Sequence, residues 1–174
     1  MKLTILESGS ALKDDCFLEL YRGSSVENAP NWYPQLSSEQ ALNKYEQSFL
    51  EYMHKEFWEE KGIQFLLEDD TGYRSGLRLY PGEDNRFFIE ALETRPDSRR
   101  KGYSKTLLKE IIVELKKKYD SFTIYDDVYK TNIASINTHL SAGYTQSKDF
   151  FIEQDGSRND KKVTFQYVVN PQND

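Results

Sequence analysis

The sequence predicts an α/β (α+β) chain: a mixed, mostly antiparallel sheet of about six to seven strands with a central parallel pair, flanked by about four helices. Three observations carry this reading. Between residues 63 and 94, three apolar runs of strand length are separated by the turn sequences Asp69-Asp70-Thr71-Gly72 and Pro81-Gly82-Glu83-Asp84-Asn85, the pattern of an antiparallel meander. From 87 to 128 a strand, a helix and a second strand follow one another, and a crossover of that length makes the two strands parallel. After Gly143, two further strand-like stretches close the chain, at about 145–153 and 161–169.

Taken in order, Lys2–Leu6 reads as a short strand. Leu12, Cys16, Phe17 and Leu20 recur at helical spacing, which predicts a helix over 11–21 that Gly23, Ser24 and Ser25 end. Residues 27–36, with Pro30, Trp32, Tyr33 and Pro34, read as a loop whose aromatics either line a substrate pocket or cover the core edge. Ser37 opens a second helix with Gln40 at the capping-box position, and Leu42, Tyr45, Phe49, Met53 and Phe57 keep one face to about Lys61. His54 lies beside that face as a surface or packing residue. Strands over 63–68, 73–80 and 87–94 make the meander. A helix over 103–119 leads to a strand over 121–128, and a helix over 132–141 stops before Gly143. The polar 154–160 loop separates the last two strands, and 171–174 is a tail. No repeat, low-complexity segment or linker interrupts the 174 residues, so one domain over 1–174 is expected.

Composition narrows the function classes. A net charge of −6 argues against general nucleic-acid binding and favours a cationic small molecule or peptide amine as partner. No apolar run reaches membrane-spanning length, and MKLTILESGS lacks the apolar core of a signal peptide. Cys16 is the single cysteine, which fits a reducing, cytoplasmic setting and gives a covalent thiol route no support. No Cys/His/Asp cluster has metal-ligand spacing, so no metal is expected.

The stretch Phe87–Leu108, FFIEALETRPDSRRKGYSKTLL, is the most informative. An apolar strand interrupted by Glu90 breaks at Pro96-Asp97, and a basic turn with one glycine opens a helix carrying Leu107, Leu108, Ile111, Ile112 and Leu115. A helix start offers unpaired N–H groups and the positive end of its dipole, a seat for phosphate. Arg95, Arg99, Arg100, Lys101 and Lys105 concentrate cations there in an acidic chain.

Arg99-Arg100-Lys101-Gly102-Tyr103-Ser104 resembles the (Q/R)-x-x-G-x-(G/A) pyrophosphate loop of the GNAT acetyltransferase superfamily, with Ser104 where that family usually has Gly or Ala. Asn132 to Tyr144, NIASINTHLSAGY, is similar to a second segment of the same family at the expected distance downstream. The resemblance covers roughly residues 60–169. It implies the GNAT fold and an N-acetyltransferase that moves acetyl from acetyl-CoA (coenzyme A) to a primary amine of a small molecule or peptide, by direct attack in a ternary complex. It also implies a splayed parallel strand pair, with a backbone N–H near Leu92 for the acetyl carbonyl and the pantetheine along Glu93 and Thr94. The pyrophosphate would lie on Arg99, Arg100, Lys101, Gly102, Tyr103, Ser104 and Lys105; Asn132 would meet the pantetheine or adenine end of the cofactor from the far side, and Ser135 would also bind the cofactor.

Three carboxylates could serve as base: Asp127 stands where relatives acetylating protein N-termini carry Glu, Glu90 breaks an apolar strand, and Glu93 is the third; Asp127 and Glu90 are favoured equally. Regular alternation would put Glu93 on the face opposite Glu90. His139 occupies the position of the family's thiolate-protonating Tyr, and is either that acid or a helix-surface histidine. Tyr144 is expected to pack on the sheet, and Tyr125 and Tyr129 to flank the parallel-strand exit, where they could bind acceptor or donate a proton. Two rival readings are the same fold with another acyl group or a hydroxyl acceptor, and a catalytically degenerate acyl-CoA binder or sensor. The resemblance also admits a homodimer. No motif in 11–61 or 154–160 names the acceptor.

Overall fold

The structure is a computed structural model and describes residues 1–171; the expected tail beyond Pro171 lies outside them. Seven strands form one mixed sheet in the order β1-β2-β3-β4-β5-β9-β6: β1 (Lys2–Leu6), β2 (Ile63–Asp69), β3 (Gly72–Pro81), β4 (Arg86–Thr94), β5 (Phe122–Tyr129), β9 (Lys162–Val169) and β6 (Thr145–Lys148). A separate two-stranded hairpin joins β7 (Phe151–Ile152) to β8 (Arg158–Asn159). The helices are α1 (Asp14–Trp32), α2 (Ser38–His54), α4 (Tyr103–Lys116) and α5 (Ile133–Ala142), with a single turn, α3 (Glu56–Glu59). The α/β class and the parallel β4–β5 pair agree with the sequence reading. The chain divides into two compact units: residues 1–78 with 91–103, and residues 79–90 with those from 104 onward.

In the first unit, β1 pairs antiparallel with β2, and α1 packs on α2 through the rings of Phe17, Tyr21 and Phe49. Ser37 caps α2 in the expected capping box with Gln40. The second helix is shorter than its apolar stripe suggested, because it breaks at Lys55 before α3. The larger correction is α1. The expected stop at Gly23-Ser24-Ser25 and the loop over 27–36 are replaced by one helix of 19 residues. Ser24 satisfies its hydroxyl on the Tyr21 carbonyl, and Ser25 and Ala29 are buried small residues on the packed side. Pro30 lies two residues from the helix end, so the missing N–H removes little. Helix breakers are weak signals when packing of a whole face outweighs the roughly 1 kcal/mol that a mid-helix glycine costs.

In the second unit, β5 pairs antiparallel with β9 over its full length, and β9 pairs with β6. Alternation along β5 buries Phe122, Ile124, Asp126 and Val128 on one face and leaves Thr123, Tyr125 and Asp127 half-buried on the other. Leu107, Leu108, Ile111, Ile112 and Leu115 form the buried stripe of α4. Gly143 ends α5 in a left-handed conformation at φ 98°, as its position suggested. The expected strand over 145–153 is instead two pieces, β6 and β7, and the pairing of β6 with β9 shifts register between Gln146 and Lys148.

Candidate active site

Strand β4 is where the fold departs from regularity. Its register with β5 covers Arg86, Phe87 and Phe88 and stops there, although β4 continues to Thr94. Three residues later, Ala91 has φ +53°, a left-handed conformation inside a strand. Burial alternates from Phe87 to Glu90 and then ceases: Ala91, Leu92, Glu93 and Thr94 are all half-buried. The alternation that would set Glu90 and Glu93 on opposite faces therefore does not extend across the bulge. A left-handed alanine costs on the order of 1–3 kcal/mol and needs outside support. The buried Tyr21 of α1 supplies it, donating its hydroxyl to the Ala91 carbonyl at 3.1 Å.

Beyond the bulge, the Glu93 carboxylate accepts from Arg99 Nη2 at 3.2 Å. Arg99 Nε also reaches the Thr94 carbonyl, at 3.4 Å. Burial raises the pKa of the Glu93 carboxyl against the opposing Arg99 guanidinium, and the negative charge of Glu27 on α1 pushes the same way. The sequence alone ranks Glu93 behind Asp127 and Glu90 as a base, because regular alternation sets it on the face opposite Glu90. The signal that could have singled it out is a second carboxylate in an apolar strand with an arginine six residues later, across the Pro96 turn. Glu90, by contrast, is exposed.

The basic turn is tightly folded. Arg100 has φ +64° and Gly102 φ +81°, and Tyr103 is the first residue of α4. A Cβ built on Gly102 would meet nothing within 4 Å, so the glycine serves the backbone conformation and leaves its face open. Lys101 is tied by its ammonium to the Asp97 carbonyl at 3.1 Å, and Arg95 is held by Asp97, Glu19 and the Thr71 carbonyl. Among the described residues, Arg100 and Lys105 make no ion pair. An open, cation-bearing turn with two left-handed residues ahead of a helix fits a phosphate group.

Two polar constellations sit in the second unit. Asp127 of β5 binds Lys162 of β9 at 2.8 Å, and Lys162 also reaches Glu153 at 3.1 Å. The neighbouring Asp126 faces the core and meets His139 Nε2 at 2.8 Å, while His139 Nδ1 lies 2.9 Å from the Ser135 carbonyl. His139 is fully buried, stacked on Phe165 and set edge-on to Tyr144, so the helix-surface reading of this residue does not hold. A carbonyl can only accept, which fixes a proton on Nδ1. Burial would lower the imidazole pKa, but the Asp126 carboxylate and the Ser135 carbonyl outweigh it and raise it. Burial pushes the Asp126 carboxyl up in its turn, and the imidazole is raised because both of its nitrogens face acceptors. Tyr144 is buried as expected, against His139 and Tyr167, and its hydroxyl has no partner among the described residues. Asn132 caps α5, its side-chain oxygen accepting from the Ser135 N–H at 3.1 Å. Tyr125 lies tilted against Phe88, with ring centroids 5.2 Å apart, and Tyr129 is exposed. His54 pairs with Asp14 at 2.8 Å. Among the described residues no group of three or more His, Cys, Asp or Glu is placed to hold a metal ion, and no helix is long and apolar enough to cross a membrane.

A family model described as the acetyltransferase (GNAT) family matches residues 29–144, more than half of the chain. The chain belongs to the GNAT acetyltransferase family. Solved structures of the same fold include the ribosomal-protein-S18-alanine N-acetyltransferase from Escherichia coli, with 16% identity and TM-score 0.59 over 99% of this chain and 97% of that one. An aminoglycoside 6'-acetyltransferase type Ii is similar at 15% identity and TM-score 0.65, over 99% and 100%. A Bacillus subtilis acetyltransferase in complex with CoA is similar at 17% identity and TM-score 0.61, over 97% and 100%. At these identities the likeness is one of fold. No curated protein sequence matches the chain.

Proposed function

We propose that the chain is an N-acetyltransferase, one domain over residues 1–174, that transfers acetyl from acetyl-CoA to a primary amine of a small molecule or peptide by direct attack. The observation that carries this reading is the continuous run from the Ala91 bulge through Glu93 to the open basic turn, in a chain of this family. Acetyl-CoA, when bound, supplies an activated acetyl thioester. Backbone N–H groups of residues 99–105, with the Arg100 and Lys105 cations, would hold its pyrophosphate. The half-buried Leu92–Thr94 segment would carry the pantetheine, and a backbone N–H near Leu92 would donate to the acetyl oxygen as charge develops on it.

An amine acceptor arrives mostly as an ammonium and must lose a proton before it attacks. Glu93 is our choice for that base, because burial lifts its affinity for a proton toward the working range. Glu90 and Asp127 rank below it: the first is exposed, and the second is bound to Lys162. His139, with both nitrogens engaged inside α5 and β5, serves in this reading to fix α5 rather than to protonate the departing thiolate. The acidic chain favours a cationic acceptor. The burial of His139 also keeps a second reading in play, a degenerate acyl-CoA binder without turnover.

The test is a screen of amines, polyamines and peptides with acetyl-CoA, followed by Glu93→Gln on the best acceptor. A catalytic base at Glu93 predicts a loss of roughly 10²-fold or more in kcat/KM and the disappearance of the acidic limb of the pH profile. Full activity in Glu93→Gln would remove the residue from the chemistry. Acetyl-CoA binding with no turnover on any acceptor would favour the binder.

A further inference from the structure

Helix α1 carries Glu19, Gly23 and Glu27 one turn apart, on the side that meets Arg95, Arg99 and Glu93. Gly23 is the odd member. A Cβ built there would lie 2.6 Å from Arg99 Nη2, too close for any real side chain, while Arg99 Cζ at 3.7 Å and Pro96 Cγ at 3.8 Å stand at ordinary contact distance. The space left by the missing side chain is the space the guanidinium occupies when it donates to Glu93 at 3.2 Å. The clash would be with the far end of a flexible side chain and with no backbone atom, so the arginine alone would have to give way. The backbone does not require a glycine at this position, since Gly23 is mid-helix without a positive φ, where glycine weakens the helix.

We infer that Gly23 is a positioning residue, the gap through which α1 lets Arg99 engage the Glu93 carboxylate, so that α1 sets the state of that carboxyl through Arg99. This inference rests on the reading of Glu93 as the base for its effect on activity, but not for its effect on Glu93 itself. The groups facing the Glu93 side chain are Arg99 from the turn and Glu27 from α1; β3 contributes the uncharged Ser75, whose hydroxyl donates to the Glu93 carbonyl at 2.7 Å. Displacing Arg99 removes the cation and leaves Glu27 and burial, both of which favour the protonated carboxyl.

The experiment follows the Glu93 carboxyl by carbon-13 NMR in glutamate-labelled protein across pH, the signal assigned by its loss in Glu93→Gln. The variants are Gly23→Ala, Arg99→Gln and the double variant. The inference predicts that Gly23→Ala titrates Glu93 at higher pH than wild type while Tm rises. Arg99→Gln moves the titration the same way, and adding Gly23→Ala to it moves it no further. With the best acceptor, Gly23→Ala lowers kcat/KM roughly two- to fivefold on the acidic limb and converges on wild type at high pH. An unmoved Glu93 titration in Gly23→Ala, or an equal movement in the Arg99→Gln background, would overturn the inference. Full activity in Glu93→Gln would instead overturn the base assignment and leave the titration to decide the role of Gly23.

Discussion

His139 and Asp126 show what a single residue pair can do in a core. Both ring nitrogens of the buried imidazole point at acceptors, so the ring, when protonated, ties α5 to β5 through Asp126. Its raised pKa sets the sign of a pH effect. Stability from the pair is fully present below the ordinary histidine value of about 6.5 and is lost as pH rises through the folded value. Urea unfolding from neutral to alkaline pH should show this decline, and His139→Gln should flatten it; equal slopes in both proteins would mean that the ring is neutral throughout. At this scale the sequence was only partly informative. It gave His139 a place in a motif, yet its partner Asp126 lies 13 positions away, and adjacent aspartates at 126 and 127 cannot be told apart until strand alternation assigns them to faces. The environment of Glu93 was not legible for a related reason, since it depends on Arg99 folding back across a proline turn.

At the scale of elements, the legible parts were those with strong local signals: the capping box of α2, the apolar stripe of α4, Gly143 after α5, and the strand–helix–strand unit that makes β4 and β5 parallel. Helix α1 was misread because its glycine and serines look like a stop, whereas burial of Ser25 and Ala29 and the space needed by Arg99 favour helix throughout. The bulge in β4 was not legible at all. Alanine carries no sequence signal for a left-handed conformation, and what holds it is a hydroxyl 70 positions away. That makes Tyr21 testable. Tyr21→Phe keeps the ring and its packing on Phe17 and Phe49, and removes the hydrogen bond to Ala91. It should cost about 1 kcal/mol of stability and lower kcat/KM through a looser Glu93. Unchanged stability and activity would show that the bulge holds itself.

Across the whole molecule, membership of the GNAT family and the seven-stranded mixed sheet agree with the reading of two short motifs. Three features of this chain lie on top of that frame: an α1 that runs through its own glycine, a bulge clamped by tyrosine, and a carboxylate held by the first residue of the basic turn. All of them lead to the turn itself, so the central claim is that residues 99–105 hold the pyrophosphate of acetyl-CoA. Calorimetric titration of acetyl-CoA into the wild type and into an Arg100→Glu, Gly102→Asp variant tests it most directly, with circular dichroism confirming that both are folded. The account predicts binding to the wild type and its loss in the variant, where one change reverses a charge and the other strains a backbone at φ +81°. Equal binding to both proteins, or none to the folded wild type, would contradict it.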